Sequence, residues 1–148
     1  MTKEVVILIA EDDDGHARLI EKNLVRAGLH NPISRFSNGQ QILDFLFRRG
    51  PGPHRSEETP YLLLLDIRMP QVDGVGVLRQ VKEDPELRKM PVIMLTTTDD
   101  PREVERCHAL GCSTYIVKPV LYEKFAEAIN SMGLFISLVQ VPQLGAPE

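Results

Sequence analysis

The chain has 148 residues, 43% of them apolar and 26% charged, which suits one soluble globular domain able to bury a full core without staples. Its net charge of −4 and the lack of a Lys/Arg-rich run argue against a nucleic-acid surface. Cys107 and Cys112 are the only cysteines and lack CxxC spacing, so neither a disulfide framework nor a zinc site is indicated. No apolar stretch approaches the ~18 residues of a membrane span, and the N-terminus lacks a signal-peptide layout. A cytoplasmic protein is expected.

Short apolar runs alternate with helical patterns five times. The expected strands are roughly 4–10, 32–36, 61–66, 91–96 and 114–117. The second contains Pro32 and polar residues, which suits a sheet edge, because Pro cannot donate to a central ladder. The others are continuously apolar, as expected where helices cover both faces of a sheet.

Ala17, Ile20, Leu24 and Ala27 mark one face of a first helix that stops at Gly28, and Ile42, Phe45 and Leu46 mark a second. A third, marked by Val75, Leu78 and Val81, ends before Pro85. A fourth starts around Asp99-Asp100-Pro101, with an Asp as N-cap and Pro in the first turn, and stops at Gly111. The fifth carries Leu121, Phe125, Ala128, Met132 and Phe135. The pattern is a (βα)₅ doubly wound parallel sheet in a single domain, with a core of about 4–139 and a tail of 140–148. The Pro/Gly-rich connection 50–60 is too polar to pack and is expected to be a mobile surface loop.

In a parallel sheet the carboxyl ends of the strands share one edge. The first strand runs into Glu11-Asp12, the third into Asp66, the fourth into Thr96 and the fifth into Lys118-Pro119. Two carboxylates about 4 Å apart repel by about 4 kcal/mol at an effective dielectric near 20. Mg²⁺ relieves this, usually with one or two carboxylates, several waters and a phosphate oxygen. Lys118 adds an ammonium suited to a phosphoryl oxygen and Thr96 a hydroxyl donor. Three acids, one lysine and one hydroxyl at one edge suggest Mg²⁺-dependent phosphoryl chemistry. Asp13 and Asp14 are read as ordinary helix N-terminal acids.

The segments Ile9-Ala10-Glu11-Asp12, Leu64-Leu65-Asp66-Ile67-Arg68-Met69-Pro70 with Asp73-Gly74, Leu95-Thr96-Thr97 and Tyr115-Ile116-Val117-Lys118-Pro119 resemble the receiver domains of two-component response regulators. The resemblance covers Val5 to about Val139. It implies that Asp66 is the phospho-acceptor, attacking a phosphohistidine on a sensor histidine kinase or a phosphotransfer protein. It also implies direct Mg²⁺ ligation by Asp12 and Asp66, with Glu11 acting through water and the backbone carbonyl of Arg68 as a third protein ligand. Lys118 would pair with the transferred phosphoryl group, and Thr96 would hydrogen-bond it after transfer. Tyr115 would be the aromatic switch that turns inward as Thr96 moves, and the Lys118–Pro119 bond would be cis.

Among receivers, the chain looks most like stand-alone regulators partnered with bacterial phytochrome kinases. The features are the long loop after the second helix, Asp84-Pro85-Glu86-Leu87-Arg88, the doublet Thr96-Thr97 and the tail. If the fifth helix continues past Gly133, Leu134 and Leu138 form an apolar strip, and a homodimer through helix four, strand five and helix five is expected. Two other functions compete. A haloacid-dehalogenase-like Mg²⁺ phosphohydrolase would need a second acid two residues after Asp66, where Arg68 stands. A flavin or nucleotide module would need a Gly-rich phosphate loop where Glu11-Asp12 stand.

Overall fold

Alternate residues of the central strands part into two apolar layers, and the rest of the architecture follows from that division. The computed structural model describes residues 4–26, 29–97 and 99–117. In β3 (Tyr61–Leu65) every residue is buried. Tyr61, Leu63 and Leu65 join one core cluster, while Leu62 and Leu64 join the other. Strand β1 (Val6–Ala10) divides likewise, as does β4 (Val92–Thr96) over its apolar residues. Full burial of each Leu or Ile contributes ~1.5–3 kcal/mol, so this sheet is the main stabilising element.

Five parallel strands form one sheet in the order β2-β1-β3-β4-β5, with β2 at Ile33–Phe36 and β5 at Thr114–Val117. The edge position expected of the second strand is observed. Pro32 contributes only a carbonyl there, accepting from the Ile7 N–H at 2.9 Å. Helix α1 (Asp14–Arg26) packs Ile20 and Leu24 on the Ile7, Ile9, Leu62 and Leu64 face. Helices α2 (Gly39–Phe47), α3 (Gly74–Glu83) and α4 (Pro101–Leu110) contribute to the core on the opposite face. The expected fifth helix, with its proposed apolar strip, and the tail lie outside the described residues.

Helix boundaries follow local chemistry. Asn38 caps α2 through the Gln41 N–H, and Asp73 caps α3 through the Gly76 N–H. Asp100 precedes Pro101 at the start of α4, and Gly111, at φ 108°, closes it, as expected from sequence. After α3, the Asp84 carboxylate accepts from the Glu86 and Leu87 N–H groups. Lys82 Nζ then donates to the Arg88 and Met90 carbonyls at 3.0 and 2.8 Å. Burial lowers the Lys82 pKa, and the nearby Cys112 opposes that effect.

One expectation is refined: the 50–60 connection lies at the surface as expected, with residues 51–54 and 56–58 exposed, yet it also makes specific bonds. The polar connection 50–60 is tied to the body of the protein. The Arg55 N–H donates to the Phe45 carbonyl at 3.0 Å, and its Nε to the Leu46 carbonyl at 2.8 Å. The Ser56 N–H donates to the Tyr61 hydroxyl at 2.9 Å. The polarity that argued against packing instead satisfies carbonyls at the C-terminal end of α2. Tyr61→Phe should lower the urea unfolding free energy by about 1 kcal/mol and speed tryptic cleavage after Arg55. Cleavage at the wild-type rate would mean this bond does not hold the loop.

Candidate functional site

Register brings the acids together. Ala10 pairs with Leu65, and the Asp66 N–H continues the ladder by donating to the Ala10 carbonyl at 3.0 Å. Glu11 continues β1 on its other side, its N–H donating to the Phe36 carbonyl at 3.0 Å. Glu11 and Asp66 are therefore neighbours at the sheet edge, 1% and 8% exposed, and Asp12 follows Glu11 into solvent. One carboxylate oxygen from each of Glu11, Asp12 and Asp66 lies within 4.8 Å of the others. Oxygens around an octahedral Mg²⁺ stand about 3 to 4 Å apart, so this all-oxygen set suits a hard dication with one acid acting through water.

The loop after Asp66 is built by close backbone approach. A Cβ on Gly74 would stand 2.0 Å from the Asp66 carbonyl oxygen and 2.7 Å from the Ile67 Cα, so only glycine lets α3 start there. The Gly74 N–H donates to the Ile67 carbonyl at 2.7 Å, and Asp66 Oδ1 accepts from the Ile67 N–H at 2.8 Å. On the other flank a Cβ on Gly39 would meet the Val72 carbonyl oxygen at 1.8 Å, which holds α2 against the same loop. The Arg68 side chain is exposed, and its carbonyl accepts no hydrogen bond among the described residues.

The remaining expected residues sit at the ends of β4 and β5. Thr96 is fully buried, and its hydroxyl has no hydrogen-bond partner among the described residues. An unmade bond at such a site costs about 1–3 kcal/mol, so the hydroxyl is poised for a ligand oxygen. Thr96 pairs in register with Val117, and Lys118 is the next residue in sequence. Lys118, the Lys118–Pro119 bond and Thr98 lie outside the described residues. Tyr115 is half-buried on the α4 side of the sheet. Burial, then the negative fields of Cys107, Glu103, Asp66 and Asp99, push its phenol up to about 12. It therefore stays a hydrogen-bond donor across the physiological range.

The neighbours divide as the sequence suggests, with additions. Asp13 accepts from the His16 N–H and caps α1, and Asp14 lies in its first turn. His16 Nδ1 lies 3.6 Å from Glu11 Oε1. Sequence reasoning missed Arg35, whose guanidinium reaches the Glu11 carbonyl and the Asp14 carboxylate. No local signal marks an arginine on an edge strand as a site residue. Cys107 and Cys112 are both buried and free. Burial first, then nearby Cys112 and Glu103, push the Cys107 thiol up to about 11.

Residues 7–130 match the family model described as the response regulator receiver domain. The chain belongs to that family. A receiver domain from Rhodospirillum rubrum is 48% identical, with a TM-score of 0.88 over 95% of this chain and 99% of its own. The bacteriophytochrome response regulator RtBRR is 32% identical, with a TM-score of 0.75 over 99% of this chain and 85% of its own. The polar-differentiation response regulator DivK of Brucella ovis is 35% identical over 88% of this chain and 96% of its own. Response regulators are signalling proteins, and the five-stranded order found here is that of the receiver fold. The receiver's position two residues after Asp66 holds an exposed arginine, where a phosphohydrolase would need an acid.

The raised Cys107 and Tyr115 values set a pH dependence. Both groups keep their protons when folded at pH values where the unfolded chain releases them, so the stabilisation is complete below about pH 9 and is lost as pH rises through about 11 for Cys107 and about 12 for Tyr115. Urea unfolding should weaken steadily across that window. An unchanged midpoint between about pH 8 and pH 11 would contradict the burial of the two groups.

Proposed function

We propose that this receiver takes a phosphoryl group onto Asp66 from a phosphohistidine of a sensor histidine kinase or phosphotransfer protein, and signals through phosphorylation-dependent protein contacts. The observation that carries this reading is the gathering of Glu11, Asp12 and Asp66 within 4.8 Å at the sheet edge that also holds Thr96. Asp66 is taken as the nucleophile because it directly follows β3, the central strand, whose neighbours β1 and β4 lead into the acid pair and the buried Thr96. An Asp66 oxygen forms the new bond to phosphorus as the phosphorus–nitrogen bond breaks, and the imidazole leaves. The carboxylate needs no general base. Such a loose, in-line transfer depends on positioning and charge neutralisation more than on covalent machinery.

Asp12 and Asp66 would hold Mg²⁺ directly, with Glu11 acting through water and the Arg68 carbonyl completing the protein ligands. Bound there, the ion supplies the charge that lets a phosphoryl group of up to about −2 sit beside acids. Lys118, one residue beyond the register partner of Thr96, is assigned the ion pair to the phosphoryl group. The Thr96 hydroxyl donates to a phosphoryl oxygen, satisfying a group with no hydrogen-bond partner among the described residues. Tyr115 turns inward as Thr96 moves, so contacts made only with the phosphoryl group bias the outer face of β5 and α4 toward a second arrangement.

The partner is proposed to be a bacterial phytochrome kinase, supported by the 32% identity to the bacteriophytochrome response regulator RtBRR over nearly the whole chain. The protein is taken to be one cytoplasmic receiver domain spanning 1–148, acting as a homodimer through α4, β5 and the fifth helix expected from the sequence. Val117, 39% exposed at the end of β5, supports that face as a contact.

Incubation with acetyl phosphate and Mg²⁺ should give an acid-stable, base-labile adduct on the wild-type chain. Asp66→Asn or excess chelator should abolish it, and an adduct persisting in Asp66→Asn would exclude Asp66 as acceptor. Sedimentation should report a dimer in the presence of beryllofluoride and Mg²⁺. A monomer with and without that mimic would remove the dimer from the proposal.

A further inference from the structure

Where β1 gives way to the acid loop, the main chain loses its strand partner. The Glu11 N–H is the last on that side to find a backbone acceptor, the Phe36 carbonyl at 3.0 Å. β2 ends at Phe36, so the Glu11 carbonyl has no strand N–H opposite it. A side chain takes over. Arg35 Nε donates to this carbonyl at 3.1 Å and Nη2 at 2.8 Å, while Nη1 bonds and ion-pairs the Asp14 carboxylate.

That fork controls one particular torsion. The Glu11 carbonyl lies in the same peptide plane as the Asp12 N–H, and holding it fixes how the chain leaves the sheet. The Glu11 residue is thus held by its N–H on β2 and by its carbonyl on Arg35. Asp12 itself is exposed, and its carboxylate has no hydrogen bond or ion pair among the described residues. Its direction toward Asp66 is therefore inherited from the peptide before it. The same guanidinium holds Asp14 on its far arm, partly neutralising the acid run 11–14.

We propose that Arg35 is the positioning residue of the cation site, setting the backbone from which Glu11 and Asp12 meet Asp66. The proposal rests on the Mg²⁺-binding reading given above. A lysine cannot replace the fork, because an ammonium lacks the planar pair of N–H groups that grip one oxygen. Removing Arg35 leaves no sealed void, since its outer side faces an open cavity of about 410 Å³ bounded by Phe45, Arg49 and Pro53. The variants should therefore fold.

Two physical effects of Arg35 predict opposite signs, which makes the test decisive. If the residue acted only as a nearby positive charge, its removal would strengthen cation binding. If it positions the acids, removal weakens binding, and outer-shell partners of metal sites are typically worth 10–100-fold in affinity. Mn²⁺ is the probe, titrated by electron paramagnetic resonance into wild-type protein, Arg35→Ala, Arg35→Lys and Asp14→Asn, with urea midpoints as the folding control. Arg35→Ala and Arg35→Lys are expected to bind Mn²⁺ at least ~10-fold more weakly, and Asp14→Asn within about twofold of wild type. Unchanged or tighter binding by Arg35→Ala overturns the proposal, as does full rescue by Arg35→Lys. Wild-type protein that fails to bind Mn²⁺ would instead overturn the site itself, a failure visible before any variant is made.

Discussion

Mutual repulsion among carboxylates forced onto one sheet edge is the constraint on which this structure turns. Parallel pairing of β1 with β3 leaves no freedom: once Ala10 and Leu65 are in register, Glu11 and Asp66 must be neighbours. Two isolated carboxylates about 4 Å apart would repel by about 4 kcal/mol at an effective dielectric near 20, so acids gathered this closely call for compensating positive charge. The fold withstands this because the strands feeding the edge are nearly pure hydrocarbon, buried on both faces. A flexible scaffold would relax by letting the acids part. This one holds Glu11, Asp12 and Asp66 together, an all-oxygen set suited to a hard dication.

The rigidity is reinforced where α3 begins. Gly74 lies so close to the Asp66 and Ile67 backbone that no side chain fits, and Gly39 bears on Val72 in the same manner. These two contacts clamp the loop that carries Arg68, with Gln71 held at a φ of 73° between them. Ile67 and Met69 anchor the loop from inside, at 7% and 9% exposure. The acid half of the edge is thus fastened by backbone contacts, which have little room for alternatives.

The β4–β5 half is built on a different principle. Thr96 offers a buried hydroxyl with no hydrogen-bond partner among the described residues, and Tyr115 offers a protonated phenol only half-buried. Groups whose hydrogen-bonding or burial is incomplete have something to gain from rearrangement, whereas the clamped loop has only contacts to lose. A fixed acid edge beside an adjustable neighbour is the arrangement that the proposed phosphorylation of Asp66 would need in order to change the surface.

The sequence by itself determined the alternation of strand and helix, the edge position of β2, the end of α3, both ends of α4, and the acids and hydroxyl at the strand ends. Those features are local. They follow from apolar runs such as 61–65, from Asp-Pro and Gly at the ends of α4, and from the rule that parallel strands share one carboxyl edge. Only the tertiary structure decided that the polar 50–60 connection is anchored, because its partners are the Phe45 and Leu46 carbonyls and the Tyr61 hydroxyl. It alone assigned Gly39 and Gly74 to close backbone approaches, and Arg35 to the Glu11 carbonyl 24 residues away. The physical reason is the same in each case: a hydrogen bond or van der Waals contact between distant segments depends on where the packed core puts them, and no window of neighbouring residues carries that information.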